Sequence, residues 1–154
     1  MQKITTFLMF NDKAEEAMNF YASIFKNSEI LSTMPGPGGS VMGGTFQING
    51  QIFNAFNGGP RFTFAEGMSL LVNCEDQKEI DHYWERLTAD GGEESMCGWL
   101  KDKFGVSWQI FPTVLGEMLQ DKDPAKSGRV VNAFLKMKKF DIQALKDAYE
   151  GKDI

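Results

Sequence analysis

Hydrophobic and polar positions alternate along residues 3–10, KITTFLMF, with Thr5, Phe7 and Met9 on one face and Thr6, Leu8 and Phe10 on the other. A period of two predicts a β-strand. The period then lengthens: Ala14, Ala17, Met18, Tyr21, Ile24 and Phe25 form an apolar stripe at helical spacing over about 13–26. Asn11 or Asp12 is the expected cap, and Glu15 and Glu16 fall in the first turn, where the helix dipole favours anions. A second strand follows at 29–34, EILSTM. The next stretch, PGPGGS at 35–40, invites a phosphate-cradle reading, because glycine-rich loops can bind anions through backbone amides. No lysine follows it, and the next segment, VMGGTFQI, reads as a strand and not a helix, so a plain loop is expected.

Asn49-Gly50 is the strongest local signal. An Asn-Gly pair between alternating runs specifies a two-residue hairpin with a type I′ turn, and the turn fixes the register. Ile48 then faces Gln51, Gln47 faces Ile52, Phe46 faces Phe53, and Thr45 faces Asn54. One face carries Met42, Phe46, Ile48, Phe53 and Ala55, the expected packed side. The other carries Thr45, Gln47, Ile52, Asn54 and Phe56, a mixture of polar and aromatic groups.

A turn-rich connector, 57–67, separates this unit from a second copy of the pattern. Residues 68–74 read as a strand and Glu75-Asp76 as a cap. Residues 77–89 read as a helix with Ile80, Tyr83, Trp84 and Leu87 on one face, and Asp90-Gly91-Gly92 ends it. A hairpin within MCGWLKDKFGVSWQIFP, 96–112, closes the unit, with strands at 96–100 and 106–111. Val106, Trp108 and Ile110 make its buried face. Ser107, Gln109 and Phe111 make either a plain polar outer face or one wall of a small-molecule pocket. The order strand–helix–strands thus occurs twice, at an offset of about 63 residues. The tail, 113–154, is expected to be helical at Val114–Leu119, after Asp123-Pro124, and after Asp141, where Ile142, Leu145 and Tyr149 share a face.

Length and composition restrict the chemistry. A chain of 154 residues fits one domain, with module one at about 1–60, module two at about 66–112 and the helices at 113–154. The net charge of −5 argues against a nucleic-acid partner, which calls for a basic face. The one basic cluster, Lys136, Lys138 and Lys139, reads as a solvated helix end, although it leaves open an interaction module with no small ligand. No signal peptide and no apolar run near 18 residues is present, so neither export nor a membrane is expected and the cytoplasm is the expected location. Cys74 and Cys97 make no disulfide framework. Cys97 reads as an inert thiol, although Lys101 or Lys103 could lower its pKa. The single histidine, His82, sits beside Asp81 on the second helix and reads as a surface or packing residue. Glu93-Glu94 reads as a charged strand start in preference to an acid/base pair.

Two βαβββ modules in about 150 residues resemble the vicinal oxygen chelate superfamily, which includes glyoxalase I, bleomycin-resistance proteins and extradiol dioxygenases. FLMFNDKAEEAMNFYASIF, FNAFNGGPRFTF and above all CGWLKDKFGVSWQIFP resemble one branch, the PhnB-like family, also labelled the 3-demethylubiquinone-9 3-methyltransferase domain. The resemblance implies an α+β fold in which the modules form a cupped, mostly antiparallel sheet around a pocket, with a helical tail; pattern alone would also allow a ferredoxin-like sandwich. It implies a homodimer. It places the superfamily's metal-ligand positions at approximately Thr5, Asn54, Ser69 and Gln109. Metal-dependent members use His and Glu type ligands there, and zinc and iron sites want imidazole, thiolate or carboxylate. Four neutral oxygen donors hold a divalent cation poorly. The expectation is therefore no metal and no cofactor, but a small-molecule ligand, planar or apolar, in a pocket lined by Thr5, Phe7, Asn54, Phe56, Ser69, Leu71, Trp99, Gln109 and Phe111. The alternative is a lyase, isomerase or dioxygenase with a metal held elsewhere. Methyl transfer is not expected, since no strand leads through a glycine-rich loop into a helix as in a nucleotide-binding unit.

Overall fold

The computed structural model describes residues 2–152. The chain divides into two compact units, one ending at Phe64 and the other starting at Ala65.

In the first unit, β1 (Thr6–Phe10), α1 (Ala14–Ile24), β2 (Glu29–Pro35), β3 (Val41–Ile48) and β4 (Gln51–Asn57) follow in the order βαβββ. The sheet order is β1-β4-β3-β2; β1 runs parallel to β4 and the other two pairings are antiparallel. Asn49 and Gly50 take φ values of 51° and 81°, the two positive values of a type I′ turn. All four predicted pairs, Ile48–Gln51, Gln47–Ile52, Phe46–Phe53 and Thr45–Asn54, are formed. The packed face is the one that alternation selects: Phe46, Ile48, Phe53 and Ala55 are buried, together with Ala14, Ala17, Met18, Tyr21 and Ile24 of α1. Tyr21 stacks on Phe46 and Phe46 on Phe53, at centroid separations of 6.2 and 5.5 Å. Neither Asn11 nor Asp12 caps α1. The N-cap position is Lys13, without a side-chain bond, and the Ala14 N–H is taken by Asn57 Oδ1 at 2.8 Å. A side chain from the end of β4 thus supplies the capping oxygen, which local sequence cannot reveal.

In the second unit, β5 (Leu70–Cys74), α2 (Gln77–Thr88), β6 (Glu93–Glu94), β7 (Trp99–Lys101) and β8 (Ser107–Pro112) repeat the order. The sheet is β5-β8-β7-β6, with β5 parallel to β8 and the other pairings antiparallel. The Asp76 carboxylate caps α2 by accepting from the Glu79 N–H at 2.8 Å. Ile80, Trp84 and Leu87 are buried on α2, and Trp108 and Ile110 on β8. Glu93-Glu94 is an exposed strand, and Glu94 accepts from the Trp84 indole N–H at 2.7 Å.

Three helices complete the unit: α3 (Thr113–Leu119), α4 (Pro124–Phe134) and α5 (Ile142–Glu150). Asp123 and Asp141 cap the last two as expected. The tail shortens the predicted strand at 96–100. The Cys97 and Gly98 N–H groups bond to the Met137 and Lys138 carbonyls, at 2.7 and 2.8 Å, and not to a sheet neighbour, so β7 starts only at Trp99. Gly98 is required there: its φ is +80°, and a Cβ would lie 2.4 Å from Phe140 Cε2. The basic cluster falls in the connector after α4 and not within a helix, and Lys139 pairs with Asp81 at 2.8 Å.

Candidate functional site

In the first unit the face opposite α1 carries a hollow of about 190 Å³, lined by Phe7, Thr45, Asn54, Ala55, Gly44 and the strand Ser32–Pro35. Parallel pairing puts Phe7 against Asn54, and antiparallel pairing puts Thr45 on the other side of Asn54. The Thr45 hydroxyl donates to Asn54 Oδ1 at 2.7 Å. That bond occupies the amide oxygen and leaves the Asn54 NH₂ as the group able to donate to a ligand. Phe7 is 55% exposed, so an apolar ring stands beside a polar anchor without a covering residue from its own unit. Of the predicted residues in this unit, Phe7 and Asn54 line the hollow; Phe56 and Thr5 are half-buried and do not.

The second unit repeats this arrangement with different residues. Gln109 of β8 lies between Leu71 of parallel β5 and Trp99 of antiparallel β7, the register Asn54 has between Phe7 and Thr45. Gln109 Nε2 donates to Ser69 Oγ at 2.8 Å. Here the amide nitrogen is engaged and the carbonyl oxygen is left as an acceptor. Ser69, Leu71, Trp99 and Gln109 are thereby brought onto one face. Phe111 is on the same side of β8, but its ring meets Phe140 edge-on at a centroid distance of 6.1 Å. The tail covers it, and sequence periodicity carries no sign of that.

A hollow in this unit, of about 290 Å³, lies not over Gln109 but toward the β6 edge and is lined by Glu66, Glu93, Glu94, Ser95, Trp99, Leu100, Lys101 and Ser107. Only Trp99 of the predicted site residues touches it. Lys101 forms an ion pair with Glu66, which holds the Glu66 carboxyl below its usual range and raises the Lys101 ammonium. Ser107 lines it as one of the three residues, with Gln109 and Phe111, that alternation puts on a possible pocket wall. Glu66 could not, since it stands in a connector without periodicity.

The superfamily positions do not suit a divalent cation. Thr5, Asn54, Ser69 and Gln109 offer hydroxyl and amide groups without a carboxylate, and three of the four are already hydrogen-bonded to neutral neighbours or each other. Among the described residues, no three His, Cys, Asp or Glu side chains are placed to share an ion. His82 is exposed on α2 beside Tyr83, away from the strands. Cys74 is fully buried, and burial, followed by the nearby Glu79 and Asp76 carboxylates, pushes its thiol up to about 12, so it is no nucleophile. Among the described residues no helix is long and apolar enough to cross a membrane.

Comparison with known proteins bears on the family and the fold. Residues 2–111 match the family described as 3-demethylubiquinone-9 3-methyltransferase. A PhnB protein from Bacillus cereus shares 44% identity and a TM-score of 0.68, over 73% of this chain and 100% of its own. Protein PA1353 from Pseudomonas aeruginosa is 21% identical with a TM-score of 0.58, over 73% of this chain and 98% of its own. A mutant of the genomically encoded fosfomycin resistance protein FosX from Listeria monocytogenes was solved with Mn(II) and 1S,2S-dihydroxypropylphosphonic acid. It is 19% identical with a TM-score of 0.58, over 78% of this chain and 100% of its own. These last two show the fold alone. No functionally curated protein matches the chain. The two βαβββ units, their shared register and the match across both of them establish that the chain belongs to the PhnB-like family of the vicinal oxygen chelate superfamily, the family described as 3-demethylubiquinone-9 3-methyltransferase.

Proposed function

We propose that the protein binds a small planar or apolar molecule without a metal on the sheet face opposite the helix of a unit, with Asn54 the polar anchor beside Phe7 in the first unit and Gln109 the one beside Leu71 and Trp99 in the second. The observation that carries this reading is the Thr45–Asn54 bond at the hollow beside the exposed Phe7 ring. A pocket wall of aromatic and aliphatic groups with a few fixed polar groups is the usual composition of a small-molecule site. Asn54 is oriented before any ligand arrives, so its NH₂ can recognise a carbonyl or similar acceptor without first losing side-chain freedom. The hollow is small for a drug-sized ligand, which favours a compact ring. In the second unit Gln109, at the equivalent register, offers an acceptor instead.

A thermal-shift screen of small aromatic carbonyl compounds tests this. Binders should raise the midpoint of the wild type, and the increase should fall in Asn54→Ala and Gln109→Ala. Variants that respond like the wild type would reject the site. A second reading, metal-dependent chemistry, is suggested by the Mn(II) in the FosX complex, a protein of the same fold. About one ion per chain in protein purified without chelators, with stabilisation by Mn²⁺ or Zn²⁺, would favour it over the first. Methyl transfer has no support in the fold: the glycine-rich stretch at 36–39 joins antiparallel β2 and β3 and precedes no helix that could receive a nucleotide phosphate. We also propose a cytoplasmic homodimer, testable by sedimentation; the supporting observation is the set of exposed Phe7, Leu31, Met34, Met68 and Leu71.

A further inference from the structure

The hollow at the β6 edge has a chemistry unlike that of the neutral faces. Three of its lining groups, Glu66, Glu93 and Glu94, are carboxylates, and one, Lys101, is cationic. Three negative charges against one positive leave a net charge of −2. Lys101 is already committed. It is ion-paired with Glu66, and Glu93 opposite it in the β6–β7 register raises its proton affinity further. Glu94 accepts from the neutral Trp84 indole, which leaves its charge uncompensated. The carboxylates are not gathered as a metal site would need. Glu93, opposite Lys101, therefore shares the face of the half-buried Trp99 ring, whereas Glu94, opposite Leu100, turns to the α2 side of the rim.

Ser107 adds a polar group to the acidic wall. It is 4% exposed and lines the hollow. It pairs with Lys101 across the β7–β8 ladder, so both side chains project from the same face. Its backbone is used in the ladder; its hydroxyl makes no hydrogen bond among the described residues and, since no fully occluded polar side-chain atom there lacks a partner, it is open to the hollow. A hydroxyl so deeply placed must reach its partner through the hollow.

We propose that this hollow binds an organic cation, a primary ammonium or guanidinium group on a small aromatic or apolar body. Glu93 supplies the counter-charge, the Trp99 face takes the cation or the body, and Ser107 Oγ accepts one of the N–H groups. A quaternary ammonium has no N–H to offer and would forgo the last contact. A volume of about 290 Å³ holds a ligand of the size of phenethylamine. The inference is independent of the neutral ligand proposed above: it shares Trp99 with that face but uses neither Asn54 nor Gln109.

The test is an NMR titration of the full chain with phenethylamine, and separately with its neutral and anionic isosteres, 2-phenylethanol and phenylacetate. Phenethylamine should shift the Trp99 indole and the Lys101 and Ser107 amides, more weakly as salt is added. The two isosteres should not. Glu93→Gln removes an exposed charge without changing shape and should weaken binding about threefold. Ser107→Ala should weaken it about tenfold, as expected for a lost bond to a charged donor. Asn54→Ala should leave phenethylamine binding unchanged, which separates this result from failure of the neutral site. Equal binding of the alcohol and the amine, or wild-type affinity in both Glu93→Gln and Ser107→Ala, overturns the proposal. So does the absence of any shift at Trp99.

Discussion

Among the described residues Asp102 is one of two buried polar or charged side chains, at 3% exposed, and it holds the β7–β8 turn together. Its Oδ1 accepts from the Phe104 and Val106 N–H groups at 2.9 and 3.1 Å, and its Oδ2 from the Trp108 indole N–H at 2.9 Å. All three partners are donors. A carboxylate satisfies them; an asparagine of the same shape cannot, because one of its two ends is itself a donor. If the Asn oxygen keeps the two backbone groups, its NH₂ meets the indole N–H. One buried donor is then orphaned, at about 1–3 kcal/mol. The two remaining bonds lose their charge assistance, about half their strength. Removing a buried charge returns part of this loss through cheaper desolvation. We expect a net destabilisation of about 2 kcal/mol for Asp102→Asn, a fall of about 4–8 °C in the thermal midpoint of a chain this size. Urea unfolding and calorimetry measure it. The mechanism predicts more than the sign. In a Trp108→Phe background the clashing indole N–H is gone, so the same substitution should cost at least about 1 kcal/mol less. Additive effects within about 0.5 kcal/mol, or an Asp102→Asn protein as stable as the wild type, would refute the reasoning. The consequence for function is local. This turn sets Trp99 opposite Gln109, so amide exchange at both residues should quicken in Asp102→Asn.

Two further predictions concern single groups. Asn57→Ala removes the oxygen that caps α1 and should destabilise by about 1 kcal/mol; Asn11→Ala and Asp12→Ala should have much smaller effects, and urea midpoints of the three variants decide the matter. The folded Cys74 thiol is raised to about 12 from an ordinary value of 9.0. Its contribution to stability is thus fully present below pH 9 and is lost as pH rises through 9 toward 12, because the unfolded thiol ionises first. The thermal midpoint should fall more steeply over that window in the wild type than in Cys74→Ala; parallel pH profiles would contradict the assignment.

Where structure depends on neighbours in the chain, the residues alone determine it. Asn49-Gly50 has one cheap conformation, two positive φ values, and alternation on either side then leaves no freedom in which residues pair or which face packs. The same holds for the Asp76, Asp123 and Asp141 caps, whose bonds span two or three residues. Repetition of the strand–helix–strands order, with the quoted family segments, was sufficient for the fold and for placing Asn54 and Gln109 on the faces opposite the helices. It could not supply what depends on distant contacts. The α1 cap comes from Asn57, 43 positions away from Ala14. The start of β7 is set by carbonyls of the tail, and Phe111 is covered by Phe140 from the same segment. Which end of each amide is engaged depends on whether a hydroxyl beside it donates or accepts: Thr45 donates to Asn54, while Ser69 accepts from Gln109. The acidic hollow required Glu66 of a connector to meet Lys101 of β7, an encounter without any periodic signature. Periodicity records which side of its own element a residue occupies; only the tertiary structure decides what comes to stand opposite it.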